Sequence, residues 1–201
     1  MVYRTGGKNL YWRKMDGEKI AYIEQDLLHL KAQGWQFSSF TIDGRNGVIQ
    51  LLKRMFPGTP IQLCHFHQQK TIRKYITMKP KMECGKEIKK LMAGLKELSE
   101  ASFIEKLQKI KEDYTDFLKE RNENKQFKHR KIRSALRSLT TNLAYLFAYK
   151  KHSDLNIPNT TNSCDGSFAH WKQKTKIHRG LKESRRDKMI EFLLHNSSKN
   201  P

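Results

Sequence analysis

Hydrophobic and polar positions divide the chain into short elements. Two β-type runs, "VYR" and "NLYWRK", flank "TGGK", where Gly6 and Gly7 tolerate the positive φ of a tight hairpin turn. Glu18 to Lys31 carries Ile20, Ile23, Leu27 and Leu30 at helical spacing, and Gly34 stops the pattern. The run from Trp35 to Ile42 reads as a strand that ends on Asp43. Gly47 to Phe56 reads as a helix with Val48, Leu51, Leu52 and Met55 inward, broken by "PGTP". Ile61 to Cys64 is a short buried strand, and His67 to Ile76 starts another helix.

From about Gly85 to Tyr149 only helical signals remain. One stripe is Ile88, Leu91, Leu95 and Leu98; a second is Phe103, Leu107, Ile110, Tyr114 and Phe117; a third is Ile132, Leu136, Leu139, Leu143 and Leu146. All three read as core packing. "KHSDLNIPNTTN" is a loop, after which Asn162 or Ser163 can cap a helix over "SCDGSFAHWKQK". Trp171 and Phe168 within it read as core. Glu183 to His195 forms the last helix, and a frayed tail follows. Strands alternating with helices, then helices alone, predict the α/β class: a core over 1–80, an all-helical insertion over 81–152, a return to the core over 153–196 and a tail over 197–201.

Composition narrows the setting. The chain has 201 residues, 37% of them hydrophobic, which suffices for a core. No apolar run approaches the roughly 20 residues that span a bilayer. The start, "MVYRTGGKNLYW", has no signal-peptide run. These features predict a soluble, cytoplasmic protein with no membrane partner. Cys64, Cys84 and Cys164 are an odd, sparse set, which argues against a disulfide framework. Forty Lys and Arg against twenty Asp and Glu give a formal charge of +20. Nucleic acid is the first partner such an excess predicts, because neutralising phosphates drives binding.

Two places carry candidate chemistry. Asp43 stands at a strand end, where ligands and catalysts gather in open α/β sheets, and it can equally cap the next helix. "CHFH" places Cys64, His65 and His67 at the end of the next strand. Cys64 and His67 have the spacing of half a zinc site, but no second pair follows at finger-like spacing. A nucleophilic Cys64–His67 pair would lack a group to orient the histidine.

Three stretches in succession change the weighing. "TIDG" at a strand end, "PIQLCHFHQQKTIRKYIT", and "PNTTNSCDGSFAHWKQKTKIHRGL" beyond a helical insertion resemble the Mutator-type (MULE-like) transposases of bacterial insertion sequences, from about Tyr3 to Leu194. The resemblance implies an RNase H-like fold with a DDE-type catalytic site. Asp43 would be the second catalytic carboxylate and Asp165 the third, where the family usually has the longer Glu. Cys64 and His67 match the family's C/D-x-x-H signature beside that site. Asp43 and Asp165 would then hold Mg²⁺ or Mn²⁺ in a two-ion arrangement, with ions about 3.5–4 Å apart. The partner would be DNA, both transposon ends and target, in a nucleoid-associated setting. Lys172, Lys174, Lys176, Arg179, Lys182, Arg185 and Arg186 would face its phosphates.

The resemblance also implies a first strand, bearing the first aspartate, between the hairpin and the strand ending at Asp43. Neither Asp16 nor Asp26 replaces that residue convincingly. The expectation is a truncated or frameshifted C-terminal portion, inactive alone, with an upstream polypeptide supplying the strand; a homo-oligomer is compatible with it. Two alternatives stand beside this reading: a non-enzymatic, basic nucleic-acid-binding protein on the same scaffold, and a zinc module on Cys64 and His67.

Overall fold

The glycine pair makes the hairpin. Strand β1 (Val2–Thr5) pairs antiparallel with β2 (Lys8–Trp12), and Gly6 and Gly7 take φ of 54° and 77° between them. This computed structural model describes residues 1–198 apart from Asp16, Glu18, His178 and Arg179. Helix α1 (Ile20–Ala32) buries Ile23, Leu27 and Leu30 as its spacing predicts; Glu18, the predicted start, lies outside the described residues. The same face also buries Asp26, 1% exposed. Its carboxylate meets Arg13 Nε at 2.7 Å and accepts the Tyr3 hydroxyl at 3.1 Å. Burial, and then Asp26, push the Tyr3 phenol far above its ordinary pKa. This polar junction fastens the hairpin to α1.

The strand predicted from Trp35 is shorter than expected. Strand β3 spans Phe40–Ile42, and Trp35 is 44% exposed. Trp35 belongs instead to the end of α1. Its N–H donates to Leu30 O at 3.1 Å while Gly34 takes φ of 85°, a helix stop of the Schellman kind. Phe37, outside the strand, packs against Phe40 and Phe56. Helix α2 (Asn46–Met55) buries Ile49, Leu51 and Leu52, with Val48 and Met55 only partly covered. It leads to β4 (Ile61–Leu63), which pairs parallel with β3. Cys64 lies just past β4, and α3 (His65–Ile76) begins two residues before the predicted His67. The two strand pairs form separate two-stranded sheets.

Helices follow, as the stripes predict: α4 (Glu83–Ala93), α5 (Glu100–Asp113), α6 (Thr115–Lys119), α7 (Arg130–Asn142) and α8 (Ala148–Lys151). One small departure is an antiparallel bridge between Arg121 and Phe127. Helix α7 packs on α3, and a single apolar core runs from Ile23 and Leu63 through Ile88, Phe103 and Leu139 to Phe147. The helical segment is therefore built into the core beside the strands.

Helices α9 (Asn162–Ile177) and α10 (Glu183–Asn196) pack together, and α10 also reaches β2. Buried Asn9 makes that contact: its amide N–H donates to Ser197 O at 3.0 Å and its carboxamide to Leu194 O at 2.8 Å. Ser198 bridges to Asn9 as well, so the expected frayed tail is tied down at Ser197 and Ser198, and the rest of it lies outside the described residues. The architecture is mixed α/β, mostly helical with small sheets. No helix among the described residues is long and apolar enough to cross a membrane.

Candidate functional site

The parallel ladder brings Asp43 and Cys64 to the same end of two neighbouring strands. Ile42 pairs with Leu63, and Cys64 N–H donates to Ile42 O at 2.7 Å. Gly44 then turns the chain with φ of 96°, a conformation that favours glycine. Asp43 is exposed, and its Oδ1 accepts the Arg45 N–H at 3.3 Å. The residue at the boundary of α2 is Arg45, without a side-chain cap bond, so Asp43 is not the helix cap.

A distant segment closes over this end. Thr41 Oγ1 donates to Pro158 O at 2.8 Å, His65 N–H to Asn159 O at 2.9 Å, and Thr161 N–H to Cys64 Sγ at 3.2 Å. These bonds, taken in order along the segment, fix where α9 begins. The Thr161 carbonyl accepts the N–H groups of Cys164 and Asp165 at 2.8 and 3.0 Å, which starts the helix. The Thr161 hydroxyl oxygen lies 3.0 Å from Asp165 Oδ2, 3.4 Å from His67 Nδ1 and 3.3 Å from Cys64 Sγ. One hydroxyl thus collects three of the four residues predicted for the site, and Asp43 stands one strand away. Sequence reasoning passed over Thr161; its only local signal is a Thr directly before a helix start.

Beneath lies a buried polar floor. Gln62, fully buried on β4, donates from Nε2 to Leu63 O at 2.7 Å and Leu146 O at 3.0 Å, and its Oε1 accepts the Tyr149 N–H at 3.0 Å. His65 adds Nε2 at 2.8 Å from the same Leu146 carbonyl. Burial, and secondarily the Lys150 charge, lower the His65 pKa, with the Leu146 bond opposing them. His65 Nε2–H is the donor in that contact, since a carbonyl only accepts, and it helps hold the floor together.

The basic residues lie on the outer faces. Lys172, Lys174 and Lys176 on α9, and Lys182, Arg185 and Arg186 at the start of α10, are all exposed; Arg179 lies outside the described residues. No ion pair among the described residues involves those six side chains. The α10 carboxylates Glu183 and Asp187 are engaged by Lys14, at 3.5 and 2.6 Å. Trp171 is buried as expected, but Phe168 is 37% exposed and not core; its ring meets the Trp171 ring edge-on at 5.2 Å. With one helical face committed to Trp171, Phe168 falls at the margin.

Asp43 and Asp165 offer hard oxygen ligands of the kind that suit Mg²⁺ or Mn²⁺. Each has one carboxylate oxygen in a hydrogen bond and the other without one among the described residues. No group of three His, Cys, Asp or Glu side chains among the described residues is arranged to hold a metal ion. The donor set is therefore incomplete for a two-ion site, and no step through a metal follows from it. Cys64 is buried, with its sulfur accepting the Thr161 N–H. Compared with protein-family models, curated proteins and solved structures, the chain matches none.

Proposed function

We propose that this chain is a nucleic-acid-acting protein of the DDE transposase kind, with an RNase H-like arrangement of its strands and Asp43 and Asp165 as metal-holding carboxylates. The observation that carries the reading is the convergence on Thr161. Cys64 just past β4 and His67 in the first turn of α3 meet Asp165 on α9 there, across nearly a hundred residues of sequence, beside the strand end that bears Asp43. DNA is the proposed partner, supported by the +20 charge and the exposed basic side chains of α9 and α10.

Asp43 and Asp165 can hold one Mn²⁺ between them; a second ion needs a third carboxylate, and its proposed source is a further strand. The separate ladders of β1–β2 and β3–β4 support this, since they leave strand edges that such a segment can pair with. Alone, the chain is expected to bind DNA and leave it uncut. A second reading, a basic nucleic-acid-binding protein without catalysis, is favoured by the lack of a three-ligand group among the described residues.

Mn²⁺ titration in the presence of duplex DNA separates the two. Under the transposase reading the wild-type chain binds Mn²⁺, and D43N and D165N lose that binding while keeping DNA affinity. A wild-type chain that binds DNA but no Mn²⁺, or variants that bind Mn²⁺ undiminished, would leave only the second reading.

A further inference from the structure

We infer that Thr161 is a positioning residue whose hydroxyl proton is directed to Asp165, and that it thereby holds His67 in its Nδ1–H tautomer. This deepens the reading above, because Asp165 and His67 are the groups it positions. The inference follows from counting protons. A threonine hydroxyl has one proton and two lone pairs, whereas an ionised carboxylate has only acceptors. The 3.0 Å contact with Asp165 Oδ2 needs a proton between two oxygens, and the hydroxyl carries the one available. The remaining contacts of Oγ1 must then be made by its lone pairs.

Cys64 does not compete for the proton on equal terms. Thiol sulfur is a weak acceptor, and this one already takes the Thr161 backbone N–H at 3.2 Å. A charged acceptor makes the stronger bond. The 3.4 Å contact to His67 Nδ1 must therefore have the ring nitrogen as donor. Nδ1–H donates to Oγ1, and Oγ1–H donates to Asp165. In the neutral ring this leaves Nε2 as the acceptor, and among the described residues Nε2 has no hydrogen-bond partner.

The arrangement gives Thr161 two further anchors that keep the hydroxyl in place. Its N–H is held by Cys64 Sγ, and its carbonyl by the N–H groups of Cys164 and Asp165. The hydroxyl thus couples the carboxylate on α9 to the imidazole on α3, and only a side chain with both donor and acceptor capacity can do so. Valine has the same shape and neither capacity; serine has both.

The test is long-range ¹H–¹⁵N correlation of the histidine rings in the full chain, at a pH where His67 is neutral, with its signals assigned by their loss in H67Q. The expected spectrum has His67 predominantly as the Nδ1–H tautomer in the wild type and in T161S. T161V is expected to lose that preference, with melting curves establishing that it folds. A wild-type His67 found predominantly as the Nε2–H tautomer would overturn the inference, whatever T161V does. So would a T161V that folds and keeps the wild-type tautomer. The measurement needs neither DNA nor metal. A correct tautomer with no Mn²⁺ binding leaves the positioning role standing and removes the transposase reading; the wrong tautomer with Mn²⁺ bound does the reverse.

Discussion

The side-chain oxygen of Gln62 accepts the backbone N–H of Tyr149 at 3.0 Å, joining the middle of β4 to the start of α8 through the interior. The same side chain donates to Leu146 O, so one buried amide satisfies groups at both ends of the turn that leads into α8. Gln62→Leu keeps the size and removes both partners. The Tyr149 N–H then lies without its acceptor, and His65 alone remains on the Leu146 carbonyl. Stability is expected to fall by about 1–3 kcal/mol, read by urea denaturation, because the abandoned group bears its desolvation cost.

His65 should make the fold acid-sensitive. Its folded pKa is lowered from the ordinary 6.5, chiefly by burial. As the pH falls through that ordinary value, the unfolded chain takes up the proton before the folded one does. The contribution to stability is therefore complete above the unfolded pKa and is lost as the pH drops from there toward the folded pKa. Melting temperatures measured over roughly pH 5 to 8 should decline on the acid side, and His65→Asn should remove this part of the decline.

Asp43 and Asp165 each keep a free carboxylate oxygen on an exposed side chain among the described residues. If they hold Mn²⁺ jointly, D43N and D165N should each weaken its binding by about 10–100-fold or more, read by calorimetry or paramagnetic resonance. DNA affinity should stay the same or rise slightly, since each change removes one negative charge.

Lys172, Lys174, Lys176, Lys182, Arg185 and Arg186 should act through phosphates. Each residue that makes such a contact should, when changed to Ala, flatten the plot of log affinity against log salt by about 0.9 and weaken binding to all sequences alike. Fluorescence anisotropy at several salt concentrations measures both. A sequence-dependent loss would instead indicate contact with base edges.

Gly44 turns the chain directly after Asp43 with φ of 96°. An added Cβ would meet only Leu63 side-chain atoms, at 3.7 and 3.8 Å, so space is available and the backbone conformation sets the cost. Gly44→Ala should cost about 1–2 kcal/mol and lower the melting temperature by roughly 2–8 °C. It should also displace Asp43 and weaken Mn²⁺ binding with it.

The helical stripes were legible because each depends on residues three and four apart, and Ile88, Phe103 and Leu139 are buried as that spacing requires. Trp35 was misread because an apolar run resembles a strand, whereas its N–H is already used to close α1. The burial of Asp26 was not legible, because the residues that make it tolerable, Tyr3 and Arg13, come from β1 and from just past β2. Asp43, Cys64 and His67 were legible as candidates from their strand ends, and Asp165 only through motif succession. Thr161 was not, because beyond Asp165 its partners lie 94 and 97 positions away.

The contacts of Asn9 set an order of events in time. The hairpin emerges from the ribosome before α10 and can close its own turn at once. Yet its buried carboxamide awaits Leu194, 185 positions later, and its backbone N–H awaits Ser197. During synthesis both groups remain hydrated until almost all of the described chain is available. An element made ahead of every helix described is thus among the last to be sealed, and docking of α10 becomes a closing step that slow, long-range contact formation governs.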